Sequence, residues 1–327
     1  MNRFDVTVVG ELNLDLILYG LPTELEPERE LLADRLALTL GSSSAIFAHN
    51  LAVMGSKVGF ISRIGDDSLG LIALERLASG GVDTSEVRRI SGSTTTGLTV
   101  ILPRPGFRNI LTYPRTMFEM CFEDLNLDYL ASAKHFHLSS YFLHRALRPR
   151  IAELFKRMKE ANLTTSLDTN DDPDDCWGTD CLEVLRYVDV FFPNEREAKK
   201  VAGVDDFRAA VERLAEIVPV LAVKLGPAGA MVRRGKESVI LPSIPVEAID
   251  PVGAGDSFDA GFLHQFVRGA DLSTCLEFGN LAGAFSTTRP GGTEAFRDQE
   301  HFESFLSQHW RNGKASGFND PAAHHRE

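Results

Sequence analysis

Short apolar runs alternate with helical patterns in the middle of the chain, and this alternation limits the possible folds more than any other feature. The runs, with amphipathic stretches between them, lie at His135–Ser139, Thr164–Asp168, Val188–Phe192 and Val220–Leu225. Strands that alternate with helices build a mostly parallel sheet with helices on both faces. The sequence therefore predicts an α/β fold with a mostly parallel central sheet.

Four further runs lie outside this alternation and predict a second, smaller sheet. They are Leu12–Leu18, Leu36–Leu40, Thr94–Leu102 and Asn109–Tyr113, and a Pro-Arg-Pro-Gly turn between the last two predicts a hairpin. We expect one small sheet apart from the main core, and we expect Val82–Val87 to be a connector. An exposed small sheet is open to pairing with other chains, and burial in a homodimer through this sheet would relieve that liability.

Composition and charge exclude several classes of function. Apolar residues make up 43% of the 327 residues and charged residues 24%, which is typical of a globular protein with a sizeable core. The net charge of -12 and the lack of a basic stripe predict no nucleic-acid partner. No apolar run reaches about eighteen residues and no signal peptide is seen, so we expect no membrane span and a cytoplasmic location. The four scattered cysteines are expected to be free thiols.

A turn of small residues, Gly253-Ala254-Gly255-Asp256, follows the segment Ser238–Ile249, which is predicted to form strands, and precedes a helical pattern at Phe258–Phe266. Residues almost without side chains let backbone N–H groups approach an anion, and the helix points its positive end at the same place. With Asp256 beside it, the turn is predicted to hold a phosphate and to move it onto a hydroxyl. Alternatively, Asp256 or Ser257 only caps the helix and the glycines only turn the chain. The P-loop pattern is absent, so any phosphate would be held by a different cradle.

Polar residues also follow the predicted strands of the main sheet. Ligands on such sheets lie beyond the carboxyl ends of the strands, where these side chains would meet. The residues are Asp168, Asn170, Asn194, Glu197, Lys224 and Gly226. Earlier in the chain, Glu11, Asn13 and Asp15 alternate with apolar residues and would share one strand face. That face could hold sugar hydroxyls, although an ordinary solvated strand has the same pattern.

Several segments resemble motifs of the PfkB carbohydrate kinase family, which includes ribokinase, fructokinase and adenosine kinase. The most specific is Asp250–Gly261, which is similar to the C-terminal signature D-T-x-G-A-G-D-x-F-x-x-G. Gly41–Gly55, followed by Gly65–Gly70, looks like the N-terminal signature. The similarities to the sugar-binding strand, the N-x-x-E motif and the nucleotide turn T-x-G-x-x-G lie at Gly10–Asp15, Asn194–Glu197 and Lys224–Gly229. The segments occur in family order over nearly the whole chain.

The resemblance implies both a fold and a reaction. The fold would be a Rossmann-like α/β/α sandwich with a small β-sheet lid. The ribokinase-like domain would cover residues 1–313, with the lid in segments 12–40 and 94–115, and the polar residues 314–327 are predicted to be a flexible tail. The reaction would be ATP-dependent phosphorylation of a small-molecule sugar at a hydroxyl, of ribokinase or fructokinase type, with ATP and Mg²⁺, and with K⁺ in some members.

The resemblance also assigns roles to individual residues. Asp256 would be the general base that accepts the proton of the attacked hydroxyl, and Gly253, Ala254 and Gly255 would form the anion hole. The residues that would line the ATP site are Asn194, Lys224, Gly226, Gly229 and Asn280. Those that would hold the sugar are Asn13, Asp15, Gly41 and Ser42. Those that would bind metal are Glu197, for magnesium, and Asp250 and Val252, at positions that bind potassium in some members.

Departures from the family pattern concern the substrate more than the reaction. Ile46 replaces an asparagine that often contacts sugar, which suggests a more apolar ligand face. Arg108 and Arg115 lie on the predicted lid, where they either meet a substrate carboxylate or phosphate or stay solvated. Lys224 replaces the threonine of the nucleotide turn, and its ammonium could reach a phosphate. We place Ile46, Arg108 and Asn170 in the predicted substrate site.

Two other functions fit the same sequence. One is a nucleoside kinase, with which Ile46 is compatible. The other is a catalytically silent sugar- or nucleotide-binding regulator on the same scaffold. A silent protein need not keep both a base and a metal-positioning acid, so the presence of Asp256 and Glu197 favours a kinase.

Overall fold

A computed structural model of the chain describes residues 2–104 and 106–310. Its strands are β1 (Phe4–Val9), β2 (Leu14–Tyr19), β3 (Arg35–Leu40), β4 (Val58–Gly65), β5 (Asp83–Ile90), β6 (Leu98–Arg104), β7 (Phe107–Tyr113), β8 (Ala133–Leu138), β9 (Thr164–Leu167), β10 (Val190–Phe191), β11 (Val220–Lys224), β12 (Ala230–Arg234) and β13 (Glu237–Leu241). Its α-helices are α1 (Ser43–Val53), α2 (Ser68–Ser79), α3 (Thr116–Glu119), α4 (Leu127–Ala131), α5 (Ile151–Glu160), α6 (Asp180–Leu185), α7 (Glu195–Ala202), α8 (Phe207–Ala215), α9 (Ala254–Phe266), α10 (Leu272–Ser286), α11 (Glu294–Arg297) and α12 (Gln299–His309). The tail predicted for residues 314–327 lies outside the described residues.

Nine strands form the main sheet in the order β13-β12-β11-β10-β9-β8-β1-β4-β5. The pairs from β5 to β11 are parallel, and β12 and β13 add an antiparallel edge. Successive strand residues bury on opposite faces, so Val190 packs into one hydrophobic cluster and Phe191 into the other. Because both faces are covered, the central strands are almost continuously apolar. The predicted α/β sandwich with a mostly parallel sheet is confirmed.

The two ends of the main sheet differ from the sequence-based expectation. The prediction of a connector at Val82–Val87 is wrong, because Asp83–Ile90 is the edge strand β5, parallel to β4. Charged residues keep this edge strand polar and so discourage pairing with other chains. For the same reason, the sequence of β5 lacks the apolar pattern from which a strand is predicted. At the other end, strand structure in the predicted segment Ser238–Ile249 stops at Leu241.

Four strands form the small sheet, in the order β3-β2-β6-β7. The hairpin β6–β7 is antiparallel, as predicted, and β2 pairs with β6 in parallel. Ile17 of β2 and Ile101 of β6 pack against Val252, just before α9. The hydroxyl of Tyr19 also donates a hydrogen bond to Asp250 Oδ2 at 2.6 Å. The small sheet therefore covers the turn that leads into α9, and we call it the lid.

Two helices start near the carboxyl ends of the strands of the main sheet, on the side that faces the lid. The side chain of Ser42 caps α1 by accepting a hydrogen bond from the N–H of Ala45 at 3.3 Å. Helix α9 begins at Ala254, directly after Gly253, which is in the left-handed conformation. None of the described helices is long and apolar enough to cross a membrane.

Candidate active site

The turn before α9 keeps open amides at the start of a helix. Gly253 has φ 73° and ψ 5°, and a Cβ atom there would lie only 2.5 Å from the Cα atom of Gly292, so the position requires glycine. The N–H of Ala254 donates to the carbonyl of Pro251 at 3.3 Å. No described residue accepts a hydrogen bond from the N–H of Gly253 or Gly255. The helix end and these amides together form a place that favours an anion.

Asp256 lies in the first turn of α9, beside these amides, and its side chain is buried. Burial and the nearby charge of Asp168 raise the pKa of Asp256 to about 7, although Lys224 and a hydrogen bond from Ser43 lower it. A carboxylate with a pKa near neutrality is well matched to accept a proton from a hydroxyl. Asp256 thus lies at a helix start, and its role as general base stays a prediction.

Lys224, at the end of β11, is the cation of the site. Its Nζ lies 2.7 Å from Asp168 Oδ2 and 3.2 Å from Asp259 Oδ2. A Cβ atom at Gly255 would lie 3.5 Å from the same Nζ, so the ammonium is next to the turn. Burial lowers the pKa of Lys224, but Asp168 and Asp259 outweigh burial and raise it, so the side chain stays charged.

Asn13 and Asp15 present acceptor oxygens on the lid side of the site. The amide Nδ2 of Asn13 donates to the Leu14 carbonyl at 3.1 Å, whereas its buried Oδ1 has no hydrogen-bond partner among the described residues. Burial, together with Asp256 and Asp250, raises the pKa of Asp15 to about 7. A Cβ atom at Gly41 would lie 2.2 Å from Asp15 Oδ1, so Gly41 lets the backbone pass close to this carboxylate.

Glu11 precedes β2 and is buried, so it lies outside the strand on which the sequence placed it. Its carboxylate accepts hydrogen bonds from the hydroxyls of Ser44 at 2.8 Å and Ser140 at 2.7 Å, and it lies 3.4 Å from His144 Nε2. Burial raises the pKa of Glu11, but the bonds from His144 and Ser140 lower it to about 2. Ser42 donates to the Glu11 carbonyl. Glu11 thus fastens the loops that carry the predicted sugar-binding residues.

The other predicted substrate residues differ in their surroundings. Ile46 is 2% exposed and packs against Gly292 and Gly253, so it supports the turn. Arg108, on the exposed strand β7, is close enough to lower the pKa of Asp15. Asn170 adopts φ 52° and donates to Ser140 Oγ at 3.1 Å. Of these three residues, only Arg108 is charged, and its charge acts on Asp15.

Asn194 and Glu197 form a capping box at the start of α7. The N–H and Nδ2 of Asn194 donate to the two Glu197 oxygens at 2.8 and 2.6 Å, and the N–H of Glu197 donates back to Asn194 Oδ1 at 2.9 Å. Burial and Asp168 raise the pKa of Glu197 to about 7, against the effect of Lys224. Each carboxylate oxygen has a second lone pair that these bonds leave available.

The predicted nucleotide turn meets Asn280 at the antiparallel end of the main sheet. Gly226 and Gly229 have φ of 58° and 102°, and a Cβ atom at Gly229 would lie 2.1 Å from the Leu241 carbonyl oxygen. Asn280 Nδ2 donates to the carbonyls of Leu241 and Pro242, each at 3.2 Å. The structure therefore brings together residues that are 51 positions apart in the sequence, since Gly229 and Asn280 both border this segment.

Asp250 is a structural link at the predicted potassium position. Its carboxylate accepts hydrogen bonds from the N–H groups of Val252 and Gly291, each at 3.0 Å, and from Tyr19. Among residues 2–104 and 106–310, no group of three or more His, Cys, Asp or Glu side chains is placed to hold a metal ion directly.

Sequence reasoning did not find the contact between Lys224 and Asp259. Asp259 is three residues after Asp256 on α9, but nothing in the sequence shows that it meets a lysine 35 positions earlier across the fold. Ser140 and His144 were also missed, because a short polar turn after a strand gives no signal for its partners. Only the structure brings them to Glu11.

The fold and the turn together define a structural class. The chain has a mostly parallel sheet, a lid over its edge, and a buried carboxylate beside open amides at a helix start. A putative ribokinase II from E. coli, in complex with ATP and Mg²⁺, has the same fold, with a TM-score of 0.81 and 23% identity over 94% of this chain and 100% of that chain. The class is that of ribokinase-like α/β folds with a small-sheet lid.

Sequence comparisons show the family. The description "pfkB family carbohydrate kinase" matches residues 3–299. A fructokinase from Klebsiella pneumoniae is 30% identical over 317 residues, which are 92% of this chain and 99% of that protein. An ATP-dependent ribose-1-phosphate kinase from Halopiger xanaduensis is 30% identical over 256 residues, 78% of this chain and 82% of that protein. The chain belongs to the pfkB family and is an ATP-dependent carbohydrate kinase.

Proposed function

We propose that the protein transfers the terminal phosphoryl group of ATP to a hydroxyl of a sugar, with Asp256 as general base and Gly253–Gly255 as anion hole. The observation that carries the proposal is the buried Asp256 carboxylate beside open helix-start amides and the Lys224 ammonium. As the hydroxyl oxygen bonds to phosphorus, its proton passes to Asp256. General-base help of this kind typically contributes about a hundred- to ten-thousand-fold in rate.

The amides and Lys224 stabilise charge on the migrating phosphoryl group. Phosphoryl transfer needs mainly positioning and charge neutralisation, and fixed N–H groups supply both without rearrangement. Gly226, Gly229 and Asn280 would border the rest of the nucleotide.

The buried acids near Lys224 support a magnesium requirement. Glu197, Asp168 and Asp259 surround a single ammonium, so a further cation would relieve their repulsion. Asn194 and Glu197 would hold Mg²⁺ through water, because no described cluster is built for direct ligation. The bound ion would neutralise phosphate charge. The potassium site at Asp250 and Val252 stays a prediction, which a comparison of KCl with NaCl tests.

A neutral polyhydroxylated acceptor fits the lid side of the site best. Asn13 Oδ1 lacks a donor among the described residues, and Asp15 is a buried carboxylate beside Asp256. Such acceptors bind hydroxyl groups, which can donate, and they repel anionic substrates. Ile46 is buried against glycines and presents no apolar face to a nucleoside base, so the sugar is favoured over the nucleoside.

A substrate panel tests the proposed function. ADP release is measured with MgATP, in KCl and in NaCl, against neutral sugars, sugar acids, sugar phosphates and nucleosides. We expect turnover with a neutral sugar. Binding of sugars without ADP release from any compound would support a silent regulator and contradict the proposal.

We also infer that the lid forms a homodimer. The strand registers put Leu36, Leu111 and Tyr113 on one face of the lid, opposite to the face that carries Asp15. These three side chains are 60%, 56% and 52% exposed. Exposed apolar side chains at both edges of one sheet face favour an interaction site, and a second copy offers a matching one.

A further inference from the structure

Lys224 is held between two fully buried carboxylates from different parts of the fold. Asp168 follows β9, Asp259 lies on α9, and both side chains are at most 1% exposed. The Lys224 side chain is 13% exposed. Since α9 also carries Asp256, these bonds tie the helix of the predicted base to the end of the sheet. Breaking one would leave a buried charge without its partner, which is strongly destabilising.

The ammonium keeps binding capacity for a ligand. An ammonium group has three N–H donors, and Asp168 and Asp259 take two of them. Gly255 has no side chain between Lys224 and the turn, where a Cβ atom would come within 3.5 Å of Nζ. No described residue takes the third donor, which can therefore bind an anion on the amides of the turn. Lys224 is thus placed to touch a phosphate, whereas Asp168 and Asp259 are behind it.

Asp259 keeps an unused acceptor, which shows that its position is not dictated by hydrogen bonding alone. Its Oδ1 is buried and has no partner among the described residues. Burial raises the pKa of Asp259 well above its ordinary value, and the neighbouring charge of Asp168 raises it further, against Lys224.

We propose that Asp168 and Asp259 are positioning residues for phosphoryl transfer, which hold the Lys224 ammonium against the Gly253–Gly255 turn so that it contacts the transferred phosphate. The inference rests on the proposed kinase reaction. It adds two residues that do not touch the substrate and that act through Lys224. The rival explanation is a salt bridge that only stabilises the fold.

A double-mutant cycle separates these explanations. Lys224→Met should lower kcat by about a hundred- to thousand-fold, as for loss of one charge-stabilising donor. Asp259→Asn, which keeps the shape, should lower kcat by about tenfold or more, because small misplacements of a catalytic group are costly. The double variant should be no slower than Lys224→Met, since Asp259 acts only through Lys224. The KM for the sugar should stay close to that of wild type.

Lys159 and Asp189 provide the matched control. Their side chains also pair at 2.7 Å, at the opposite end of β9 and β10 and away from the turn. Asp189→Asn should lower the melting temperature and leave kcat unchanged. Asp168→Asn is the second positioning variant, and it should lower kcat as Asp259→Asn does.

Three results would overturn the inference. Wild-type kcat in Asp259→Asn, with turnover abolished in Asp256→Asn, would refute the positioning role and leave the kinase proposal intact. Effects of Lys224→Met and Asp259→Asn that multiply would mean independent actions. Failure of the wild-type enzyme to turn over any acceptor would remove the proposed function and this inference with it.

Discussion

At the residue scale, Asp256 is both the proposed general base and a buried charge that destabilises the fold at higher pH. Its folded-state pKa of about 7 is above the unfolded value of 3.8, so the folded protein binds a proton more tightly than the unfolded chain. The stabilisation from that proton is complete below about pH 4 and is lost as the pH rises through about 7. At higher pH the fold must keep a buried negative charge.

Asp256→Asn should therefore abolish nearly all turnover and stabilise the ligand-free protein at about pH 8. The amide keeps the shape of the side chain and removes the charge, so the free energy of unfolding should rise by on the order of 1 kcal/mol or more. Thermal unfolding without ligands at about pH 8 and pH 4 measures the difference, which should vanish at the lower pH. Asp174→Asn, at a side chain that is 60% exposed, is the control. Normal turnover in Asp256→Asn would refute its role as base.

The same group predicts a pH dependence of the rate. The base must be deprotonated, so kcat/KM for the sugar should fall as the pH drops below about 7. Asp168, Asp15 and Glu11 face Asp256 and disfavour its charge, whereas Lys224 favours it. Initial rates at saturating MgATP, from about pH 5.5 to 8.5, measure this limb. A profile that stays flat to about pH 5.5 would be incompatible with the assignment.

At the element scale, the start of α9 depends on one glycine. In Gly253→Ala, the alanine would have to adopt a left-handed backbone conformation that it avoids, at a cost of roughly 1–3 kcal/mol. Its methyl group would also clash with the Cα atom of Gly292. We expect a large fall in melting temperature and loss of turnover. Gly269→Ala is the control, since Gly269 has φ of 78° but open space around it. Equal losses of stability in the two variants would contradict the requirement for close packing at the turn.

Elements with strong apolar signals were predicted well, and polar ones were not. The central strands and α7 agree closely with the sequence, because burial on both faces leaves long apolar runs and Asn194 marks a helix start. β5 was missed because an edge strand is polar. The start of α9 was predicted too late, since its first turn consists of small residues with no periodicity.

The candidate site was predictable in position but not in contacts. The family resemblance assigned Asp256, Lys224 and Asn280 to one site. It could not show that Glu11 is buried or that Asp259 meets Lys224, because those partners are set by packing between distant segments. From the sequence, Ile46 suggested a more apolar ligand face, whereas the structure shows that its side chain packs against glycines.

At the scale of the whole molecule, the outer face of the lid predicts the oligomeric state. Leu36→Glu should convert a dimer into a monomer, because a charge within an apolar interface is costly to bury. Light scattering after size-exclusion chromatography measures the mass. Ile240→Glu is the control, as Ile240 is 65% exposed on β13 at the far edge of the main sheet. A wild-type protein that elutes as a monomer at micromolar concentrations would contradict the predicted dimer.

The bond from Tyr19 to Asp250 spans 231 positions of the chain. During synthesis, β2 leaves the ribosome early, while its anchoring carboxylate is still to be translated. At typical elongation speeds the delay is on the order of ten seconds or more. During this time the early strands expose apolar surface that the complete fold would cover. Nascent chains shorter than about 250 residues are therefore the form of this protein that most needs a chaperone.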